Sequence, residues 1–394
     1  MDFGLSDAQL LLRSSLRELL ARQAPIERVR KVMESGDGID RALHRALGEQ
    51  GITGLLVPEE HGGSGLGLLD AVVVAQELGR AAAPISFHTA YVMAPLLLQA
   101  AASDAQQHEW LPRIAEGSAV VAVALDAAAL DGRTPRTTGG APHGGLRVDR
   151  GRISGSVAFV PDAVGAEVIV LQVGDDLLLL PPDAPGLTIE PLRTVDDTRR
   201  VGELILDGVP AASVARLIGG SSAAGGAGGR GASEGLGVAA GRALEAGRVA
   251  LAADALGAAQ EGLSLAVEYA KQREQFGRVI GSFQAVKHMC AETVAAIDPI
   301  QSLLWYTAYA WDRGLDQARH LVPLLKGHAT EAATEAVTTC TQVFGGIGFT
   351  WECDMHLYFK RAGYDRQMLG GPAEMFALAA ASEYPMGAAR SRIG

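Results

Sequence analysis

Of 394 residues only three are cysteine, at Cys290, Cys340 and Cys353, and none forms a C-x-x-C pair. That excludes a disulfide framework or a cysteine-based zinc site, and isolated buried thiols are the expected reading. Positive charge is in deficit as well: Lys plus Arg come to 34 against 45 Asp plus Glu, a net charge of −11. A general nucleic-acid surface must neutralise phosphates with clustered Lys and Arg, so no nucleic-acid partner is expected. A local basic groove for a phosphorylated small ligand remains compatible with that balance. No unbroken apolar run reaches the roughly 20 residues of a membrane span. Met1 to Gln9 carries Asp2 and Asp7 and has no basic segment before an apolar run. No secretory signal and no membrane association are therefore expected, and a reducing, cytoplasmic location is the default.

What is present is an ordinary globular composition, 48% hydrophobic and 20% charged, with length enough for two or three compact units. From Leu5 to about Gly117 apolar residues recur at helical spacing (Leu10, Leu11, Leu16, Leu19, Leu20, then Leu69 to Leu78), and Ser6 reads as an N-cap. Pro58, Gly62, Gly63, Gly65 and Gly67 interrupt with a loop. From about Ala119 to Val209 the texture becomes short Val/Ile/Leu runs, with strands expected at Val120–Leu125, Gly151–Val160, Val168–Val173, Asp176–Leu180 and Glu203–Leu206. Gly219 to Gly237 is dominated by Gly, Ala and Ser and reads as a connector. It lacks the G-x-x-x-x-G-K-[ST] spacing of a phosphate loop. Long Ala-rich helical segments come next at Val238–Arg273, Phe283–Asp312, Leu315–Phe344 and Ala373–Glu383. The expectation is an α+β fold: an N-terminal helical domain (1–118), a central β-domain (119–218), a linker (219–237) and a C-terminal four-helix bundle (238–394).

Three segments carry chemistry. They are Tyr269-Ala-Lys-Gln-Arg273-Glu-Gln275-Phe276-Gly277-Arg-Val-Ile280-Gly-Ser-Phe283-Gln284, then Gln342-Val-Phe-Gly345-Gly346-Ile-Gly348, and near the start Gly54-Leu-Leu-Val-Pro58-Glu59-Glu60-His-Gly62-Gly63-Ser-Gly65. Arg273 is an always-charged bidentate donor suited to a diphosphate. Phe276 and Phe283 supply apolar or stacking surface, and Gly345 and Gly346 let backbone N–H groups come close to a phosphate or ribose. Arg273 alone reads as a helix-end arginine paired with a carboxylate; the set together favours a cofactor. In order and spacing these segments resemble the acyl-CoA dehydrogenase family through nearly the whole chain. The resemblance implies an FAD-dependent oxidoreductase acting on an acyl-CoA thioester, with electrons passed on to an acceptor protein. It implies that Arg273, Gln275, Phe276, Phe283, Gln284, Gln342, Gly345 and Gly346 hold the ADP half of an FAD seated mainly in a neighbouring subunit.

The resemblance also locates what is missing. The family removes the substrate's α-proton with a Glu carboxylate while hydride leaves the β-carbon for the flavin. The matching place reads Met368-Leu369-Gly370-Gly371-Pro372, so Leu369 stands where that Glu is usual. A backbone N–H here, around Gly370, remains able to meet a thioester carbonyl. Some members carry the base on an earlier helix, just before an Arg that looks like Arg248, a second candidate substrate contact. That place is Gly247. Glu245, about 200° around the helix, points away. Asp254, Asp365 and Glu374 are the remaining carboxylates to consider as relocated bases. The family's T-E-P-x-A-G-S-D stretch, which meets the flavin ring, corresponds to Ala124–Asp131, with Leu125 and Leu130 at polar and glycine positions. The pattern resembles the subunit of α₂β₂ members of sterol side-chain degradation that completes a partner's FAD site without supplying a base. A self-sufficient homotetramer with a relocated base, a flavin monooxygenase on the same scaffold, and a flavin-free binding protein remain the alternatives.

Overall fold

The computed structural model describes residues 4–35, 39–126, 145–217 and 230–382, with backbone alone for residues 230–234. The N-terminal part is helical: α1 (Asp7–Gln23), α2 (Ile26–Ser35), α3 (Arg41–Glu49), α4 (Leu68–Arg80), a π-helical run His88–Met93 continuous with α5 (Ala94–Ala101), and α6 (Asp104–Ala115). Ser6 caps α1 as expected. Its hydroxyl accepts the Gln9 N–H at 3.3 Å, and the Gln9 side chain accepts the Ser6 N–H at 3.0 Å.

The central region forms two four-stranded sheets. The strands are β1 (Val121–Ala124), β2 (Arg147–Asp149), β3 (Arg152–Pro161), β4 (Val168–Val173), β5 (Asp176–Leu180), β6 (Leu187–Leu192), β7 (Val201–Pro210) and β8 (Ala215–Leu217). One sheet runs β1-β4-β5-β8, with β1 and β4 parallel, and the other β2-β3-β7-β6 is antiparallel throughout. The first sheet is buried on both faces. Val121, Val123, Val168, Val170, Leu177 and Leu179 join the helical core, while Ala122, Ala124, Ile169, Leu171 and Leu178 face the second sheet. Burial on both sides explains why these strands read as unbroken apolar runs.

The C-terminal part holds α7 (Arg230–Gln272), a hairpin of β9 (Glu274–Gln275) and β10 (Arg278–Val279), then α8 (Gln284–Asp312), α9 (Ala318–Phe344), α10 (Met355–Gln367) and α11 (Pro372–Ala381). The expected α+β order therefore stands, with several additions. Strands β2, β6 and β8 were not anticipated; β6 hides behind Pro191, which is tolerated because β6 is an edge strand. Helix α10 adds a fifth helix to the expected four. It buries His356, Arg361 and Asp365 along with Met355, Leu357 and Tyr358, so its polar residues mask the apolar periodicity. Helix α7 begins at Arg230, inside the stretch read as connector; 219–229, and Ala127–Asp131, lie outside the described residues.

Helix α7 can run through the centre because its residues are small. A Cβ on Gly257 would sit 1.9 Å from the Gln76 carbonyl oxygen, and one on Gly79 would sit 2.0 Å from that of Asp254. At those two points α4 and α7 touch backbone to backbone. The last residue of α8 caps α4: the Asp312 carboxylate accepts the N–H groups of Leu68 and Leu69 at 2.7 and 3.0 Å.

One side chain reaches all three parts. Arg361, on α10 and 0% exposed, donates to Asp196 (2.8 Å) and Thr198 (2.5 Å) of the β-domain, to Asp254 of α7 (3.1 Å), and to the Ala83 carbonyl of the N-terminal part (2.9 Å). Burial works against its charge, but Asp254 and Asp196 more than offset this and hold its pKa above the ordinary guanidinium value. Breaking a buried ion network from one side typically costs about 3–5 kcal/mol, because the partners are left uncompensated. Arg361→Leu is expected to lose stability in that range in denaturant unfolding; a loss under about 1 kcal/mol would contradict the assignment of the clamp.

Candidate active site

The two C-terminal motifs meet at one end of the bundle. Tyr269, near the end of α7, stacks on Phe344, the last residue of α9, with ring centroids 4.4 Å apart. Beyond Tyr269 the chain turns in the β9–β10 hairpin through Phe276 and Gly277, both at positive φ (56° and 77°), the pairing that two-residue hairpin turns require. Gly277 adopts this freely. Phe276 does so against its Cβ, and its ring is left 91% exposed, edge-on to Phe283 at 6.1 Å. Arg278 lies over the Phe283 ring at 4.1 Å. The exposed Arg273 gives its carbonyl to the Ile280 N–H at 2.7 Å, while its guanidinium has no hydrogen bond or ion pair among the described residues. The side-chain amide of Gln275 donates to the Glu274 carbonyl oxygen at 2.8 Å, and that of Gln284 lies 3.3 Å from His288.

Across from the hairpin, Gln342 is exposed and Gly345 ends α9 at φ +66°, a conformation that demands glycine. Gly346 is different: a Cβ there would meet nothing within 4 Å, so no contact within the chain requires its bareness. Ile347, Phe349 and Trp351 continue the surface at 44%, 67% and 62% exposure. The whole set of Arg273, Gln275, Phe276, Phe283, Gln284, Gln342, Gly345 and Gly346 is thus an outward-facing end. It combines a cation free of partners among the described residues, open glycine backbone and exposed rings.

Arg248 and Gly370 lie elsewhere. Lys326, which contacts Gly370, precedes Phe344 by about 27 Å along α9, at 1.5 Å per residue. Arg248, expected to meet substrate, is 3% exposed and donates from Nε to the Leu369 carbonyl at 2.9 Å. Lys326 is 0% exposed and donates to the carbonyls of Asp365 (2.8 Å), Arg366 (3.5 Å) and Gly370 (3.2 Å). Burial pushes its ammonium pKa down to about 7. Two buried cations therefore hold the carbonyls of the turn after α10, with Leu369 at φ +57° and Gly370 at φ +111°. Gly370 packs tightly, since a Cβ there would come within 2.4 Å of the Met375 methyl.

The two places for a base, far apart in sequence, adjoin in space. A Cβ on Gly247 would lie 3.0 Å from Leu369 Cδ1, 2.5 Å from Met93 Sδ and 2.9 Å from Met93 Cγ. Among the described residues no carboxylate is in contact with the Cβ site of Gly247, while Glu374 Oε2 lies 3.5 Å from that of Gly370. Glu245 faces the other way, accepting the Trp311 indole N–H at 3.1 Å, and Glu374 caps α11 by accepting the Gly371 N–H at 3.3 Å. Asp254 is buried between Arg199 and Arg361. Burial would raise its pKa, but the two guanidiniums hold it below the ordinary carboxylate range. Asp365, 0% exposed, has its pKa pushed well above that range, first by burial and then by the Asp254 charge. Two guanidiniums already face two carboxylates, Asp196 and Asp254, so a third negative charge would be uncompensated. Asp365 accordingly keeps its proton.

Met93, Lys326 and Arg361 were not singled out from the sequence. The available signal was faint: Lys326 is one cation within a long Ala-rich helix, Arg361 lies four residues before Asp365 on a helix of mixed pattern, and Met93 is one apolar residue among many.

The chain matches the acyl-CoA dehydrogenase N-terminal domain over residues 6–118 and the acyl-CoA dehydrogenase C-terminal domain over residues 233–383. It is 33% identical to acyl-CoA dehydrogenase IpdE2 of Mycobacterium tuberculosis, over 93% of this chain and 94% of that one. Among solved structures it is similar to the Tcur3481–Tcur3483 steroid acyl-CoA dehydrogenase (TM-score 0.79, 30% identity, 95% and 97% of the two chains). It is also similar to the ChsE4–ChsE5 complex from Mycobacterium tuberculosis (TM-score 0.80, 26% identity, 96% and 97%). The fold and these matches define an FAD-dependent class of oxidoreductases acting on CH–CH bonds. The chain belongs to the acyl-CoA dehydrogenase family.

The two buried acids separate experimentally. Below about pH 4, Asp365→Asn replaces one neutral group by another and is expected to change stability by less than about 1 kcal/mol, whereas Asp254→Asn strands two guanidiniums and costs about 3–5 kcal/mol. A carboxyl with a raised folded pKa stabilises fully below its unfolded pKa and loses that contribution as pH rises through the folded value. Unfolding midpoints across a pH series should therefore fall for the wild type relative to Asp365→Asn as pH rises above about 4. Parallel pH curves would show that Asp365 is not the proton holder.

Proposed function

We propose that this chain is the subunit of a heteromeric acyl-CoA dehydrogenase that completes a partner's FAD site without supplying the base. The observation that carries the reading is the state of its own base locus. Gly247 and Leu369 occupy both family positions, and Glu245, Asp254, Asp365 and Glu374 are each buried or already hydrogen-bonded. The opposite end of the bundle is equipped for a ligand from outside. Arg273 would pair with the diphosphate of FAD, Gln342 and the backbone at Gly345 and Gly346 would receive its ribose and phosphate edge, and Phe276 and Phe283 would give apolar cover. FAD, when bound, supplies the hydride acceptor. The open space above Gly346 and the guanidinium of Arg273, unpaired among the described residues, fit such a group. The partner is proposed to be a second acyl-CoA dehydrogenase-like chain, and the substrate a steroid-derived acyl-CoA. Both proposals draw on similar proteins that are named as a two-chain complex and as a steroid enzyme. Electrons would leave to a separate acceptor protein.

Removing one partner of a buried charge pair typically costs about 2–5 kcal/mol. Arg273→Ala should accordingly strip FAD from the assembled complex during gel filtration; unchanged flavin content would refute the role given to Arg273. A second expectation concerns the chain alone. General-base catalysis typically contributes about 10²–10⁴-fold, so without a base the purified chain with added FAD should not bleach flavin on addition of acyl-CoA thioesters. Rapid bleaching, abolished by Asp254→Asn or Glu374→Gln, would restore the self-sufficient enzyme in its place.

A further inference from the structure

Where the N-terminal helices, the β-domain and α10 meet, several buried polar groups are left over by the protein's own hydrogen bonds. Nε and Nη1 of Arg199, Nε2 of His88, Oδ2 of Asp162 and the hydroxyl of Tyr364 have no hydrogen-bond partner among the described residues. The four residues are only 3–5% exposed. The bonds that these residues and their neighbours do make bring them to one place. Arg199 donates from Nη2 to Asp254, and Asp254 also accepts from Arg361, which lies three residues before Tyr364 on α10 and so adjoins it on the helix surface. The Asp162 N–H bonds the Arg200 carbonyl at 2.8 Å, and Asp162 Oδ1 accepts the hydroxyl of Ser86, two residues before His88, at 3.0 Å. The Arg199 charge acts on His88, Asp162 and Tyr364 alike.

An unmet buried donor or acceptor is costly and native proteins leave few of them, so a group of this size at one junction points to a ligand. Its chemistry follows from its surroundings. Arg199 and Arg361 would repel a cation, and Asp162, Asp196 and Asp254 an anion. Burial also keeps the His88 imidazole neutral, with its pKa pulled down to about 3, and keeps the Tyr364 phenol protonated. The leftover set mixes donors with acceptors, which suits a small neutral molecule able to do both. Buried waters fill that role, each typically making about three hydrogen bonds to otherwise unmet polar groups. Nε and Nη1 lie on different edges of the planar guanidinium, so one water cannot serve both.

We propose that this junction binds at least two ordered water molecules, held on Arg199 and bonded onward to His88, Asp162 and Tyr364, so that three parts of the chain meet across internal water. The inference goes beyond the accessory-subunit reading and does not depend on it.

The direct test is a crystal structure of the full chain with its co-purifying partner, at a resolution that shows ordered solvent. Separate solvent peaks are expected within hydrogen-bond distance of Arg199 Nε and Nη1, reaching onward to His88, Asp162 or Tyr364. Fewer than two such peaks, or anomalous signal at the junction after a bromide soak, would overturn the proposal. Thermal unfolding gives a second measurement. Tyr364→Phe should lower the midpoint, as Tyr358→Phe should, since the Tyr358 hydroxyl donates to the Arg80 carbonyl at 3.1 Å. Deleting a hydroxyl that has no partner at all removes an unmet buried group instead. An unchanged or raised midpoint for Tyr364→Phe would therefore also overturn the proposal.

Discussion

The structure is organised around a guanidinium that water cannot reach. A buried charge is tolerated only when paired and fully hydrogen-bonded, and Arg361 meets that condition by drawing partners from every part of the chain. Asp254 comes from α7, Asp196 and Thr198 from the β-domain, and the Ala83 carbonyl from the N-terminal helices. None of these partners is near Arg361 in sequence. The network is therefore satisfied only when the layers have docked, and its energetics favour one mutual arrangement over looser ones. The helix that carries Arg361 then ends in the turn at Leu369 and Gly370, so the position of that turn is set by the clamp.

Along α7 and α9 the protein changes character. At Arg248 and Lys326 two buried cations donate to the protein's own backbone carbonyls. Around Arg273 and Gln342 side chains project outward, and the Arg273 guanidinium is left without a partner among the described residues. Arg273 and Phe276 stay exposed at this end, while at the other Leu369 and Met93 pack against Gly247.

How much of this was legible in the sequence depends on whether a residue acts locally or through distant neighbours. Ser6, the apolar strands of the doubly buried sheet and the Ala-rich helices announce themselves by local pattern, because capping and burial leave signatures within a few residues. The proposed Arg273 and Gln342 set rests on the spacing of its motifs, and the reading of Leu369 on its place in the family pattern; what the structure adds is that Arg273 and Gln342 are exposed. Strand β6 was missed because Pro191 forbids a central strand but not an edge. Helix α10 was missed because Arg361 and Asp365 interrupt its apolar face, and what justifies their burial lies more than a hundred residues away. Met93 carries no mark at all: that it packs where Gly247 has no side chain shows only in the folded chain.

The unbroken course of α7 also constrains the chain's length. Arg248 and Gln272, the residue before Arg273, sit on one rigid rod, about 36 Å apart at 1.5 Å per residue. Inserting or deleting a single residue between them would turn one end about 100° against the other and slide it by about 1.5 Å. The buried turn and the exposed face would then lose their common orientation, even with each locally intact. The count of residues between those two arginines is fixed by geometry, as is that between Lys326 and Phe344 on the companion helix. Among related chains, spacing here should prove harder to change than side chains.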